Sequence, residues 1–221
     1  MNYFILLCGG VGKRMKIETP KQYLKYKNKY IFQYSLEQAI NTKLFKKYII
    51  VAENSYFSLI KEATKNYNNI QLVEAGKTRQ ESTYNGLKSI ENVKEKDFVV
   101  IHDSARMFIK ANDIKKFVEF AKQNESCIPY KYENNAVFDK KNKTYLKRDD
   151  ILLLETPQVF KLSKILKAHE QAVLDNFVNN FDDSAIYFKY IDTPKFLLNR
   201  QYNLKITTLQ DINEIEAHLW K

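Results

Sequence analysis

Short apolar runs alternate along the chain with longer stretches whose apolar residues recur every three or four positions. The run "YFILLC", Tyr3 to Cys8, is continuously apolar, the pattern of a strand buried on both faces of a parallel sheet. In "KYIFQYSLEQAINT", Ile31, Tyr34, Leu36, Ala39 and Ile40 fall at helical spacing. "KKYIIVAE" predicts a second strand, "YFSLIKEATKNY" a helix and "NIQLVEAG" a third, short strand. "TRQESTYNGLKSI" predicts a helix, with Thr78 and Glu81 spaced as a capping box. "DFVVIHDSAR" is a strand that turns abruptly polar, and "NDIKKFVEFAKQN" is the helix after it.

Strands separated by helices of about ten to fifteen residues imply βαβ units. The expected fold class is α/β, a Rossmann-like and mostly parallel sheet flanked by helices. The segment "SCIPYKYENNAVFDKKNKTYLKR" breaks this pattern: it is polar, rich in Tyr and hairpin-like around "KKNK". It predicts a β-arm projecting from a single domain that spans residues 1–221. The α/β pattern returns with "LSKILKAHEQAVL" and a last helix, "TLQDINEIEAHLW".

Composition narrows the class. With 221 residues, 44% of them apolar and 14% aromatic, the chain can bury the core of one globular α/β domain. No apolar run has the length of a membrane span, and the first residues lack the features of a signal peptide. Cys8 and Cys127 form neither a metal spacing nor a disulfide framework, so a cytoplasmic protein is expected. The net charge of +10 admits nucleic acid, a membrane surface or a polyphosphate as partner. Many lysines are scattered among Asn and Tyr, and no nucleic-acid-binding motif is visible. The charge therefore predicts a solvated surface and a small anionic substrate, with no nucleic acid and no membrane.

Candidate chemistry gathers where strands end, because ligands of open parallel sheets bind beyond the carboxyl ends of the strands. Two polar clusters stand there: Gly9 to Lys21 after the first strand, and His102 to Arg106 after "FVVI". The sequence does not fix whether they are neighbours. Three of the five glycines fall in the first cluster, beside Lys13, Arg14 and Lys21. Glycines let backbone N–H groups approach phosphate oxygens, and the cations supply countercharge. The register is not that of a Walker A loop. Met15 stands where a dinucleotide fingerprint needs its third glycine, which argues against a nicotinamide enzyme.

"GGVGKRM" followed by "PKQY" resembles the signature of the cytidylyltransferases that act on polyol phosphates, those of methylerythritol and of ribitol phosphate among them. "GKTRQES", "HDSAR", "TPQVF" and "YNLKITT" follow in the order of the family's other motifs. The resemblance implies a nucleotidyltransferase fold and transfer of CMP from CTP to a polyol phosphate, with release of pyrophosphate. It implies that Cys8, Gly9, Gly10, Gly12, Gly76 and Ser82 hold the cytosine and ribose. Arg14 and Lys21 would grip the triphosphate and, with Lys205, serve catalysis. Asp103 would bind Mg²⁺, and Arg106, Arg148, Thr156 and Lys205 would face the acceptor. The arm, residues 129–148, would exchange with a second subunit in a homodimer. Arg79 is expected to tie its loop, His102 and Ser104 to shape the strand end, and His169 and His218 to be packing or surface histidines.

The arm reads "YENNAV", and Phe181 in "FDDS" stands where the methylerythritol branch carries a threonine. With "CGG" and "YNLKITT", this leans the expected acceptor toward ribitol 5-phosphate or another alditol phosphate for surface polysaccharide. The methylerythritol phosphate of isoprenoid synthesis is the alternative. A non-catalytic nucleotide-binding protein is a different reading, and the joint presence of Arg14, Lys21 and Asp103 speaks against it. "PKQY" with "TPQVF" tells against a sugar-1-phosphate nucleotidyltransferase.

Overall fold

Tyr3, Phe4, Ile5 and Leu6 of the first strand, β1 (Asn2–Leu7), are all buried, and they alternate between two cores. Phe4 and Leu6 enter one, Tyr3 and Ile5 the other. Helices cover both faces of this strand, which is why it reads as an unbroken apolar run. The structure is a computed structural model that describes residues 1–10, 19–178, 181–208 and 211. Gly12, Lys13, Arg14 and Met15, His218 and nearly all of the helix expected over "TLQDINEIEAHLW" lie outside them.

A hairpin of β2 (Lys25–Tyr26) and β3 (Lys29–Tyr30) leads into α1 (Ile31–Asn41). The alternating half continues with β4 (Lys47–Ala52), α2 (Phe57–Ala63), β5 (Ile70–Glu74), α3 (Arg79–Lys88), β6 (Phe98–Asp103) and α4 (Ala111–Asn124). Each of these matches an element expected from the apolar pattern. After them come β7 (Ser126–Tyr132), the arm strands β8 (Val137–Asp139) and β9 (Thr144–Leu146), β10 (Leu152–Leu154) and β11 (Gln158–Lys161). α5 (Leu162–Leu174), α6 (Asp183–Tyr190) and β12 (Phe196–Leu198) follow. No described helix is long and apolar enough to cross a membrane.

Among the described residues the main sheet runs in the order β10-β7-β11-β6-β1-β4-β5, with β12 added to β7. Strands β6, β1, β4 and β5 are parallel, and β11 is inserted antiparallel between β6 and β7. Phe32 and Leu36 of α1, Ile60 of α2 and Phe117 of α4 fill the core on one face. Leu87 of α3, Ile165 and Ala168 of α5 and Ile186 of α6 fill the other. The arm begins later than the expected 129–148. Pro129 to Tyr132 belong to β7, where Pro129 faces Leu197 and Tyr130 faces both Leu154 and Leu198. Lys131 and Tyr132 pair with β10 as well, so the part that stands outside the main sheet is the β8–β9 hairpin.

The α3 helix lies close on the sheet at Gly86. A Cβ there would stand 3.0 Å from Val51 Cγ2 and 3.1 Å from Ile5 Cγ2. A larger side chain must push the helix off β1 and β4, and overpacking of this kind typically destabilises by about 1–3 kcal/mol. We expect Gly86→Val to lower the unfolding free energy by that amount, read as a lower urea midpoint at unchanged slope. An unaltered midpoint would mean that α3 can shift outward freely.

Candidate active site

Strand register brings the two polar clusters together. Leu6 of β1 faces His102 and Leu7 faces Asp103, while on the other side Leu7 faces Val51. Ala52 of β4 faces Glu74 of β5, so the loop after β5 ends at the same rim. The chain leaves β1 toward β4 on one side and has β6 on the other, the kind of switch point at which open α/β sheets bind ligands. A cavity of about 330 Å³ opens there, lined by Gly9, Gly10, Lys21, Gln22, Gly76, Arg79, Ser82, Asp103 and Lys205, among others.

Two of the glycines are required by close approach. A Cβ on Gly9 would lie 2.6 Å from Cβ of Ala75, and one on Gly76 would lie 2.2 Å from Cβ of Glu81. The loops after β1 and β5 are therefore packed back to back. Ser82 Oγ accepts from Gly76 N–H at 3.0 Å and donates to Thr78 O at 2.8 Å. Thr78 Oγ1 accepts from Glu81 N–H, as the capping box requires. The reciprocal contact falls one residue earlier, where Glu81 Oε2 accepts from Lys77 N–H at 2.7 Å. The "PKQY" segment holds the first loop. Gln22 Nε2 donates to Cys8 O at 2.5 Å and to Gly10 O at 2.8 Å, and the Tyr23 hydroxyl donates to Cys8 O at 3.0 Å. Burial pushes the Cys8 thiol up to about 12, so this residue brings backbone and packing to the site, not a reactive sulfur.

Asp103 is gripped from two sides. Lys205 Nζ donates to its Oδ2 at 2.6 Å, and Arg79 Nε donates to its Oδ1 at 3.2 Å. Burial alone would raise the Asp103 carboxyl, but Arg79 and then Lys205 outweigh it and hold the group well below the usual carboxylate range. An ionised, hard oxygen ligand thus faces the cavity. Among the described residues no cluster of three His, Cys, Asp or Glu could cage a metal ion. One carboxylate beside a triphosphate suits magnesium, which is commonly held by one or two carboxylates plus phosphate oxygens. The residues fit that ion.

A second cavity, of about 760 Å³, adjoins the first. Arg106, Thr156 and Lys205 line it together with Leu152, Leu154, Phe181, Phe188 and Phe196. The two cavities share Arg79, Asp103 and Lys205 as a common wall. Arg106 Nη1 donates to Asn203 O at 2.8 Å and lies 3.6 Å from Glu155 Oε1. Glu155 Oε2 accepts from Asn199 Nδ2 at 2.7 Å and Asn203 Nδ2 at 3.3 Å, and Lys21 Nζ donates to Ile206 O at 2.5 Å. The segment carrying Lys205 is thereby strapped across both cavities. Thr156 Oγ1 accepts from Asp103 N–H and contacts His102 Nδ1, each at 3.1 Å. Burial pushes His102 down to about 4, so its ring is a neutral spacer between Thr156 and the Arg106 carbonyl, as its expected role at the strand end requires.

The structure therefore brings Cys8, Gly9, Gly10, Lys21, Gly76, Ser82, Asp103, Arg106, Thr156 and Lys205 to one rim. Gly12 and Arg14 lie outside the described residues. Arg148 sits after the arm hairpin, exposed and lining neither cavity, with Nη1 donating to Asn134 O. Sequence reading missed Gln22, Glu155 and Asp183. All three are buried polar residues whose role is to hold other groups, and the signal lay in their place, Gln22 inside "PKQY", Glu155 just before "TPQVF" and Asp183 within "FDDS". His169 is buried as expected of a packing residue, but it packs against Asp183, with Nε2 3.3 Å from Oδ1.

Known proteins match this geometry. A family model described as IspD, 2-C-methyl-D-erythritol 4-phosphate cytidylyltransferase, matches residues 3–221. Enzymes of that description from Petrotoga mobilis and Thermosipho africanus are 32% and 31% identical to this chain over 218 and 214 residues. The alignments cover 96% and 95% of this chain, and 95% and 94% of those proteins. The crystal structure of the Francisella tularensis enzyme superposes with a TM-score of 0.84 at 28% identity and covers 98% of each chain. The 4-diphosphocytidyl-2C-methyl-D-erythritol synthase of Anaerococcus prevotii superposes at 0.86 over 100% of this chain and 96% of its own, a likeness of fold at 24% identity. With a matching sheet, a matching motif order and a family model that spans the chain, this protein belongs to the IspD family and is a CTP-dependent cytidylyltransferase.

Proposed function

We propose that the chain transfers the cytidylyl group of CTP to the phosphate of 2-C-methyl-D-erythritol 4-phosphate and releases pyrophosphate. The observation that carries this reading is the shared wall of Arg79, Asp103 and Lys205, which joins a nucleotide-sized cleft to a second cavity holding Arg106 and Thr156. A phosphate monoester bound beside Arg106 and Lys205 has its second ionisation near pH 6, so it presents an anionic oxygen without a general base. That oxygen attacks the α-phosphorus in line, and the bond to the pyrophosphate leaving group breaks. Catalysis of this kind is alignment and charge neutralisation. Lys21 faces the leaving group, the role that the family resemblance also gives Arg14, while Lys205 leaves Asp103 for the reacting phosphates. Asp103 would hold a Mg²⁺ ion, which would supply neutralisation of phosphate charge when bound.

The lean toward an alditol phosphate is set aside in favour of its alternative. It rested partly on "CGG" and "YNLKITT". Gly9 and Gly10 line only the nucleotide cleft, and Asn203 and Ile206 fasten the strap to Thr156 O and Ala105 O. These residues carry little information about the acceptor. The wall that does is apolar at Leu152, Leu154, Phe181 and Phe196. Glu155, Asp182, Ser184 and Thr193 of the same lining can pair hydroxyls, and a methyl-branched acceptor also has apolar surface to place against these Leu and Phe side chains. The printed names of the relatives above support the same acceptor.

The arm supplies the second subunit's contact in this reading. Phe138 and Tyr145 form an edge-to-face pair with centroids 5.1 Å apart, and both are exposed, at 51% and 75%. Such surface is suited to burial in a homodimer, which would carry Arg148 toward the partner's acceptor cavity.

Three outcomes are expected. Pyrophosphate release from CTP should be fastest with methylerythritol 4-phosphate in a panel that includes ribitol, glycerol and erythritol phosphates; a preference for ribitol 5-phosphate would reinstate the earlier lean. Lys21→Ala should lose about a thousandfold in kcat/KM, on the order of 4 kcal/mol of transition-state stabilisation. Near-normal turnover in that variant would remove Lys21 from the chemistry. Sedimentation should give a dimer that Tyr145→Glu weakens, and a monomeric wild-type chain would end the arm-exchange reading.

A further inference from the structure

Arg79 was expected only to tie its own loop, yet its guanidinium does more. Nη1 donates to Asp183 Oδ2 at 2.8 Å, and Nη2 lies 3.2 Å from Asp103 Oδ1, the oxygen to which Nε donates. Asp183 is fully buried, and its other oxygen is 3.3 Å from Nε2 of His169, also fully buried. The His169 ring lies parallel to that of Tyr84, the planes 5° apart. A chain of polar contacts thus runs from α5 through α6 and the first turn of α3 to the end of β6.

Helix capping does not account for Asp183. Asp182 already caps α6, its Oδ1 accepting from Ser184 N–H at 3.0 Å. What Asp183 faces is Arg79, and what Arg79 faces beyond it is the carboxylate of the shared wall. With Asp183 absent, Arg79 could turn its whole fork onto Asp103 and cancel the charge that the cavity needs. With Arg79 absent, Asp103 would be held by Lys205 alone, a residue the reaction draws toward phosphate.

We propose that Arg79 is a positioning residue for the reaction: it fixes Asp103 in the wall between the two cavities, and Asp183, steadied by His169, takes up part of its charge so that Asp103 stays available to a divalent cation. The inference rests on the reading of Asp103 as the metal carboxylate. It makes the charges of Arg79 and Asp183 act on cation affinity in opposite directions, which a purely structural brace would not do.

The test is Mn²⁺ binding to the full-length protein, followed by electron paramagnetic resonance with a CTP analogue bridged by methylene between the α- and β-phosphates, beside kcat measured with Mg²⁺. Arg79→Gln should tighten Mn²⁺ binding by about threefold to tenfold while kcat falls at least as much. Asp183→Asn should weaken Mn²⁺ binding by a similar factor. Arg79→Lys, which keeps the charge but loses the fork, should keep wild-type Mn²⁺ affinity and still lose kcat. Shifts of the same sign in Arg79→Gln and Asp183→Asn, or no shift in either, overturn the proposal. If Asp183→Asn does not fold, equal Mn²⁺ affinity in the Gln and Lys variants at position 79 overturns it instead. Asp103→Asn separates the two readings: unchanged Mn²⁺ affinity there refutes the metal role of Asp103, whereas a loss there without opposing shifts elsewhere refutes only the positioning role.

Discussion

The glycines of the first cavity and the aspartate that lines it lie far apart in sequence, and the pairing of β1 with β6 is what makes them neighbours. The register Leu7 to Asp103 sets the height of both groups at the rim. A strand's side chains alternate between faces, so a slip of one residue would turn Asp103 toward the opposite layer and bring His102 to the cavity. The continuous apolar content of both strands protects against such a slip only weakly, since both faces are buried and both parities are apolar. Backbone contacts beyond the ladder hold the register instead. Ser104 N–H and its hydroxyl both donate to Leu7 O, and the Thr156 hydroxyl accepts from Asp103 N–H.

Charge in this rim is arranged for geometry more than for stability. Arg79 and Lys205 face Asp103 and Asp183, two cations against two anions, in a region where burial penalises every charge. Buried ion pairs of this kind gain little net stability over apolar packing of the same shape. What the arrangement does provide is a carboxylate with fixed direction and a lysine whose present partner is exchangeable. In the proposed reaction an entering polyphosphate would offer Lys205 a partner of greater charge, while Arg79 would still hold Asp103 through Oδ1. The excess of basic residues in the whole chain matters less here than this local balance, which Lys21 and Arg106 tip toward anions.

The fold was legible wherever burial on two faces writes a pattern into the sequence. β1, β4 and β6 are unbroken apolar runs because helices cover them, and α1, α3, α4 and α5 show their buried stripe. The second half was less legible. β10 and β12 have three residues each, too few for alternation to register, and β7 carries "YKY" at its end, which reads as solvent-facing although all three residues pair with β10 and Tyr130 also with β12. In the candidate site, Gly9, Gly10, Gly76, Lys21 and Lys205 stood out in the sequence as residue types that suit phosphate, and the fold gathers them at one cavity. Gln22, Glu155 and Asp183 did not stand out, because their function is to hold a neighbour. An amide that binds two carbonyls of a loop looks, in sequence, like any other glutamine.

The shared wall also constrains how the two substrates can be recognised. Arg79, Asp103 and Lys205 cannot be tuned for the acceptor without altering the nucleotide side, since each lines both cavities. Discrimination among acceptors must therefore reside in residues that belong to the second cavity alone, and these divide by chemistry. Glu155, Asp182, Ser184 and Thr193 are polar, and in the proposed reaction Arg106 and Thr156 would meet phosphate, a group that every candidate acceptor carries. Leu152, Leu154, Phe181, Phe188 and Phe196 meet whatever lies beyond it. On that reading the phosphate contacts would hold the reacting oxygen in line, and the apolar side would weigh on which carbon skeleton can follow. Members of a family that share the cation set can then differ in acceptor through a few large side chains, with Phe181, on the loop just before α6, the most exposed of those named here.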